Sequence, residues 1–165
     1  MMARRGWLVV ALVSLLGACG GNDDPVLEEI NEDLEVDIDR FSLNKSELYP
    51  GETVHVRWRT EPAGAFIFDA RLYISRDDIL SGDDKRVVNE ECGVEYNDHC
   101  AATVDVKFEC KFLSDNSFDC KEDGDMLQRN DLTDYFDQLP FEGYLILELC
   151  GEENCDKRAK ALTFY

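Results

Sequence analysis

Seven cysteines are the side chains of this 165-residue chain with the most chemistry open to them, and their spacing sorts them into two kinds. Cys19 stands alone, directly after an apolar run. Cys92, Cys100, Cys110, Cys120, Cys150 and Cys155 fall into three neighbouring couples. In a chain that leaves the reducing cytosol, an even set of this kind reads as three disulfides. Six cysteines allow more connectivities than a sequence can choose among. Pairing 92–100, 110–120 and 150–155 is the simplest, each bond closing a short loop and contributing roughly 2–3 kcal/mol through chain entropy. Zinc is the competing use of the same residues. His99, Cys100 and Cys92 would supply three ligands, but the short Cys-to-Cys spacings of structural zinc sites are missing. Neither His55 nor His99 accompanies a nucleophile motif, and no G-x-S-x-G, H-E-x-x-H, G-x-G-x-x-G or phosphate-binding glycine loop occurs. No catalytic residue is assigned, and the expectation is a protein that is not an enzyme.

Carboxylates are the next group to weigh. Asp77, Asp78, Asp83 and Asp84 bracket a Gly-containing turn, and Glu122, Asp123 and Asp125 bracket Gly124. Hard oxygen donors on a loop suit Ca²⁺, although neither segment has the twelve-residue EF-hand pattern. The four aspartates are weak calcium candidates in a chain whose turns are acidic throughout; otherwise no metal is expected. Arg57, Arg59, Arg71 and Arg76 share the outward phase of neighbouring strands and could form a basic patch, but charge balance with nearby acids is the favoured reading. Trp58 is in phase with Val54 and Val56, which assigns it to a core rather than to a ligand.

What positions Cys19 is the N-terminus itself. Arg4 and Arg5 precede an apolar run from Trp7 to Leu16, and Gly17 and Ala18 follow. This is the order of a secretory signal. Ten helical residues reach about 15 Å, half of a hydrocarbon core of roughly 30 Å, so the run is too short to span a membrane. Leu16-Gly17-Ala18-Cys19 resembles the lipobox of bacterial lipoproteins. The resemblance implies removal of residues 1–18, a diacylglycerol on the Cys19 sulfur, and acylation of the new amine by a fatty acid such as palmitate. Stable anchoring follows from two or more chains at about 0.8 kcal/mol per buried CH₂. A covalent lipid on Cys19 is thus the only non-protein group expected. Gly20 in place of Asp after the cut favours the outer over the inner membrane if the envelope is Gram-negative.

Removing residues 1–18 takes two of 17 bases and none of 36 acids, which leaves a net charge of −21. Such a chain is repelled by nucleic acid, which is excluded as a partner. Residues 19–39 read as an acidic linker: between Asn22 and Asp39 nine of eighteen positions are Asp or Glu. Residues 40–165 then form one domain of ordinary size. Its patterning has period two. Val54, Val56 and Trp58 alternate with polar residues, as do Phe68, Ala70, Leu72 and Ile74. From Thr103 to Phe112 the inward set is Val104, Val106, Phe108, Cys110 and Phe112, and Ser114 to Ser117 make a turn. Phe112 opposite Phe118 would set Cys110 opposite Cys120. Tyr144–Cys150 is apolar enough for a central strand, and Lys157–Tyr165 closes the domain. One short helix is expected, capped by Asp131, carrying Leu132, Tyr135, Phe136 and Leu139 and stopped by Pro140. About seven strands and one helix make an all-β, antiparallel β-sandwich.

Tyr49-Pro50-Gly51-Glu52-Thr53-Val54, leading into Val56-Arg57-Trp58, resembles the opening of bacterial immunoglobulin-like domains. Arg71-Leu72-Tyr73-Ile74-Ser75-Arg76-Asp77, through Asp83-Asp84-Lys85, is similar to CARDB, a cell-adhesion-related bacterial domain. Gly143-Tyr144-Leu145-Ile146 sits where such domains have a late strand. The resemblance implies an immunoglobulin-like sandwich and carries no catalytic residue. The functional expectation is a lipid-anchored, non-catalytic binding or structural module of the cell envelope, adhesion-related, held to the membrane by its lipid and meeting an unknown protein or glycan. The alternative is an acidic accessory or inhibitor lipoprotein docking on a basic periplasmic partner; a calcium-dependent binding module is the lesser alternative.

Overall fold

The computed structural model describes residues 36–61, 68–92, 100, 106–152 and 154–165. The expected signal peptide, Cys19, linker residues up to 35, His99 and Thr103–Asp105 lie outside the described residues. The described chain is all β, with no helix. Its strands are β1 (Asp37–Leu43), β2 (Glu47–Leu48), β3 (Thr53–Glu61), β4 (Phe68–Ser75) and β5 (Lys85–Cys92) in the first half. In the second half they are β6 (Val106–Phe112), β7 (Ser117–Glu122), β8 (Asp125–Asp131), β9 (Phe141–Cys150) and β10 (Cys155–Phe164). They form two five-stranded sheets, β1-β3-β6-β7-β8 and β2-β10-β9-β4-β5. All pairings are antiparallel except the two-residue β2, which runs parallel to the end of β10.

The alternation seen in the sequence builds the core. Val54, Val56 and Trp58 of β3 and Phe108, Cys110 and Phe112 of β6 face Leu72 and Ile74 of β4 and Leu145, Leu147 and Leu149 of β9, all buried in one cluster. Trp58 packs edge-on against Phe108 at 4.5 Å, so it is a core residue as its phase requires. The β6–β7 hairpin has the expected register, with Phe112 opposite Phe118 and Cys110 opposite Cys120.

Two expectations are corrected. The described residues form ten strands, not about seven. β8 was missed because it is a sheet edge with few inward apolar residues: Asn130 is its one buried side chain. β1 was missed because a register shift between Ile38 and Arg40 puts Ile38 and Phe41 on the same inward side three residues apart, which breaks period two. The second correction concerns the helix. Asp131 does accept the Thr133 amide at 2.9 Å, and the amides of Tyr135 and Phe136 bond Leu132 O at 3.0 Å. Winding then stops after one turn. Between the end of β8 and Pro140 there is room for about two turns, too few to offset helix nucleation. The apolar residues instead cap the sandwich: Phe136 packs against Phe141 at 4.7 Å and Phe164 at 5.0 Å.

The open flanks of the sandwich are closed by side chains. On one flank Asn154 Oδ1 accepts the Val36 amide at 3.0 Å, its Nδ2 donates to Val36 O, and Asp156 Oδ2 accepts the Ile38 amide at 2.8 Å. On the other, Asn130 Nδ2 donates to Val87 O at 2.7 Å, tying β8 to β5 across the two sheets. These bonds also fix the direction of the molecule. Val36, where the described chain begins, lies against the β9–β10 turn at one end. The β2–β3, β4–β5 and β6–β7 turns, residues 132–140 and Tyr165 gather at the other.

Candidate functional site

All three disulfides join sequence neighbours: Cys92–Cys100, Cys110–Cys120 and Cys150–Cys155. The second and third join directly paired positions of adjacent antiparallel strands, with Cα atoms 4.0 and 4.1 Å apart. They differ in surroundings. The first two pairs are buried in the core, whereas Cys155 is exposed and Cys150 lies on the outward phase of β9.

That outward face of the second sheet carries the densest polar network of the described residues. Register brings Lys157 of β10, Glu148 of β9, Arg71 of β4 and Asn89 of β5 into one row. Glu148 is buried at 6 % exposure and has three partners: Arg71 Nη1 at 3.4 Å, the Tyr73 hydroxyl at 3.1 Å and Lys157 Nζ at 3.3 Å. Arg71 also bonds Asp69 and, through Nε at 3.2 Å, Asn89 Oδ1. Its Nη1 donates to Cys150 Sγ at 3.5 Å. Burial works to lower the Arg71 pKa, but Asp69 and Glu148 outweigh it and hold the guanidinium above its ordinary value. Burial and then Glu148 push the Tyr73 phenol up, so it stays protonated and donates. In the next row Ile146, 1 % exposed although it faces away from the core, sits between Tyr73 and Ala159. This network saturates its own charges, and none of its members is poised as a nucleophile.

Sequence reasoning missed the network. The available signal was Glu148 itself, one acid inside the apolar run of β9. Arg57, Arg59, Arg71 and Arg76 do not form one basic patch, and Arg71 and Arg76 are paired with acids, as the favoured reading of charge balance has it. Arg57 and Arg59 point outward from β3 in the first sheet, Arg71 from β4 in the second, and Arg76 reaches Asp137 at 2.9 Å with its guanidinium over the Tyr135 ring.

Three of the four aspartates considered for calcium are engaged locally. Asp77 Oδ1 accepts the Ile79 amide at 2.9 Å, Asp84 Oδ2 the Ser81 amide at 2.7 Å, and Asp83 the Ser81 hydroxyl. The structure does not gather three of them into one ligand set. Glu148, Cys150 and Cys155 are the one trio of the described residues with donor atoms within 4.8 Å of one another. Both sulfurs there are spent in a disulfide, so a single carboxylate remains as donor.

The end far from Val36 has a different character. Tyr49, Ile79, Leu139 and Tyr165 are four of the five large apolar side chains exposed among the described residues, and all four lie there. Tyr49 and Tyr165 stack with ring centres 4.6 Å apart. Around them, carboxylates are held below their usual pKa by local donors. The Tyr49 amide and Lys45 do this for Glu52, the Ser81 hydroxyl for Asp83, Ser117 for Asp115 and Thr133 for Asp131. These acids stay ionised well below neutral pH. No protein-family model matches the chain, and no curated protein is significantly similar to it.

Proposed function

We propose that the protein is a lipid-anchored, non-catalytic binding module of the bacterial cell envelope, an immunoglobulin-like, CARDB-like sandwich that meets a protein or glycan with the end away from its tether. The observation that carries this reading is the cysteine pairing. Six of seven cysteines close on one another, so Cys19, placed behind Leu16-Gly17-Ala18, is left over for another chemistry. Three disulfides also suit an oxidising compartment. The direction of the sandwich adds support. A chain leading back from Val36 to Cys19 departs beside the β9–β10 turn, and the exposed Tyr49, Tyr165, Ile79 and Leu139 sit at the opposite end. Growth of expressing bacteria on radiolabelled palmitate tests the anchor. Wild-type protein takes up label and Cys19→Ser does not; label in the variant would sink the reading.

The ionised carboxylates around the exposed tyrosines favour one further reading, an accessory or inhibitor that docks on a basic partner. Docking of that kind weakens steeply between low and physiological salt, whereas a contact made by the apolar side chains does not.

A further inference from the structure

We propose that Cys150–Cys155 is an exchange-active disulfide, opened and closed by small thiols or dithiol oxidoreductases, while the other two pairs are fixed structural bonds. Attack on a disulfide requires access to one sulfur, a good leaving thiolate at the other and a line of approach. Cys92, Cys100, Cys110 and Cys120 are at most 1 % exposed, which denies access. Cys155, at the first position of β10, is exposed, and its partner Cys150 is 9 % exposed. The leaving side is also prepared. Arg71 Nη1 lies 3.5 Å from Cys150 Sγ and favours its thiolate, as a neighbouring guanidinium does for reactive cysteines. The other charges facing the pair are Glu148, with a carboxylate oxygen within 4.8 Å of both sulfurs, Asp69 and Lys157; Lys157 offsets one of the two anions, so Arg71 is the cation that compensates the other.

The step is written accordingly. An external thiolate attacks Cys155 Sγ and forms a mixed disulfide, and the Cys150–Cys155 bond breaks with its electron pair leaving on Cys150. A second external thiolate attacks the sulfur of the first, releasing Cys155. Two external thiolates become one disulfide, and the two protein thiolates take up the two protons that those thiols gave up on ionising, so the protein holds two thiols and no proton is gained or lost overall. The reverse reaction restores the bond.

The consequence reaches β1. Asn154, inside the five-residue span closed by this bond, brackets the backbone of Val36, and Asp156, next to Cys155, holds the Ile38 amide. Opening the disulfide loosens the turn that fastens the first strand. The chemistry uses neither Cys19 nor any residue before Val36, so it stands or falls apart from the anchor.

The test equilibrates the purified full-length protein in glutathione buffers of increasing reducing power, quenches with acid, alkylates free thiols and maps them by peptide. Cys150 and Cys155 are expected to become labelled at a glutathione ratio at least about tenfold less reducing than the one that opens the other pairs. Amide exchange at Val36 and Ile38 is expected to accelerate there, with the β6–β7 amides unchanged. Glutathione is expected on Cys155, not Cys150, in the trapped mixed disulfide. Arg71→Gln is expected to slow opening of this pair severalfold, and Arg71→Lys to restore part of the rate. Opening of all three pairs in one step, opening of this pair last, or glutathione on Cys150 would each overturn the proposal. If Arg71→Gln fails to fold, these wild-type measurements decide alone.

Discussion

Replacing Cys110 and Cys120 together by alanine is expected to destabilise the protein by about 4 kcal/mol, and the same change at Cys150 and Cys155 by about 3 kcal/mol. The difference comes more from burial than from loop length. The two bonds span 10 and 5 residues, for which chain entropy gives about 2.7 and about 2.1 kcal/mol. Loop closure alone therefore separates them by only about 0.6 kcal/mol. Cys110 and Cys120, however, are both 0 % exposed inside the cluster that holds Phe108, Phe112 and Phe118. Deleting two sulfurs there removes volume comparable to two methylenes, at about 0.8 kcal/mol each before any cavity penalty. At the exposed Cys155 no such loss occurs, and Cys150, 9 % exposed, loses one sulfur, about 0.8 kcal/mol. The gap of about 1.4 kcal/mol is roughly tenfold in the folding equilibrium, which guanidinium titration of the two variants side by side resolves. Trp58 reports the transition, because its ring is buried edge-on against Phe108. Equal losses in the two double variants, or a larger loss at Cys150 and Cys155, would refute the argument from burial.

Two other perturbations read the packing and the electrostatics. A Cβ at position 143 would lie 2.4 Å from the Ser75 carbonyl oxygen and 2.5 Å from the Phe141 ring, so Gly143→Ala is expected to cost about 2–3 kcal/mol. A urea midpoint unchanged from wild type would show that β4 and β9 separate freely. The Tyr135 phenol donates to Ile74 O at 2.8 Å, and burial, then Asp84, push its pKa up from 10.0 to about 12. Because the neutral form is favoured in the fold, this contribution is complete below pH 10.0 and is lost as pH rises towards about 12. Calorimetry between pH 9 and 12 is expected to show a steeper alkaline fall for wild type than for Tyr135→Phe; parallel profiles would contradict it.

What was legible in the sequence was local. Period two in Val54–Trp58, Phe68–Ile74 and Val106–Phe112 set the inward faces, and a four-residue turn set the β6–β7 register and with it one disulfide. The helix expected over Leu132–Leu139 failed for a reason that local pattern does not contain. Its cap formed, but Phe136 is worth more in the ring cluster with Phe141 and Phe164 than in a second helical turn. The arginines show another limit of local pattern. Phase says that Arg57 and Arg71 point away from the core, and it is silent on which sheet carries them. That depends on strand order, in which β4 pairs with β9 from the other half of the chain.

The same distinction explains why the polar side chains that hold the flanks went unread. Asn130, Asn154 and Asp156 look in the sequence like ordinary turn and surface residues. Each instead supplies hydrogen bonds to a backbone group that no strand reaches, at Val87, Val36 and Ile38. A sandwich of two open sheets must satisfy or shield such edge groups, or it offers them to another chain. One asparagine does this for the β5–β8 flank and two residues of one hairpin do it for β1. The Cys150–Cys155 bond braces that hairpin, so the accessible disulfide and the fastening of the first strand form one structural unit.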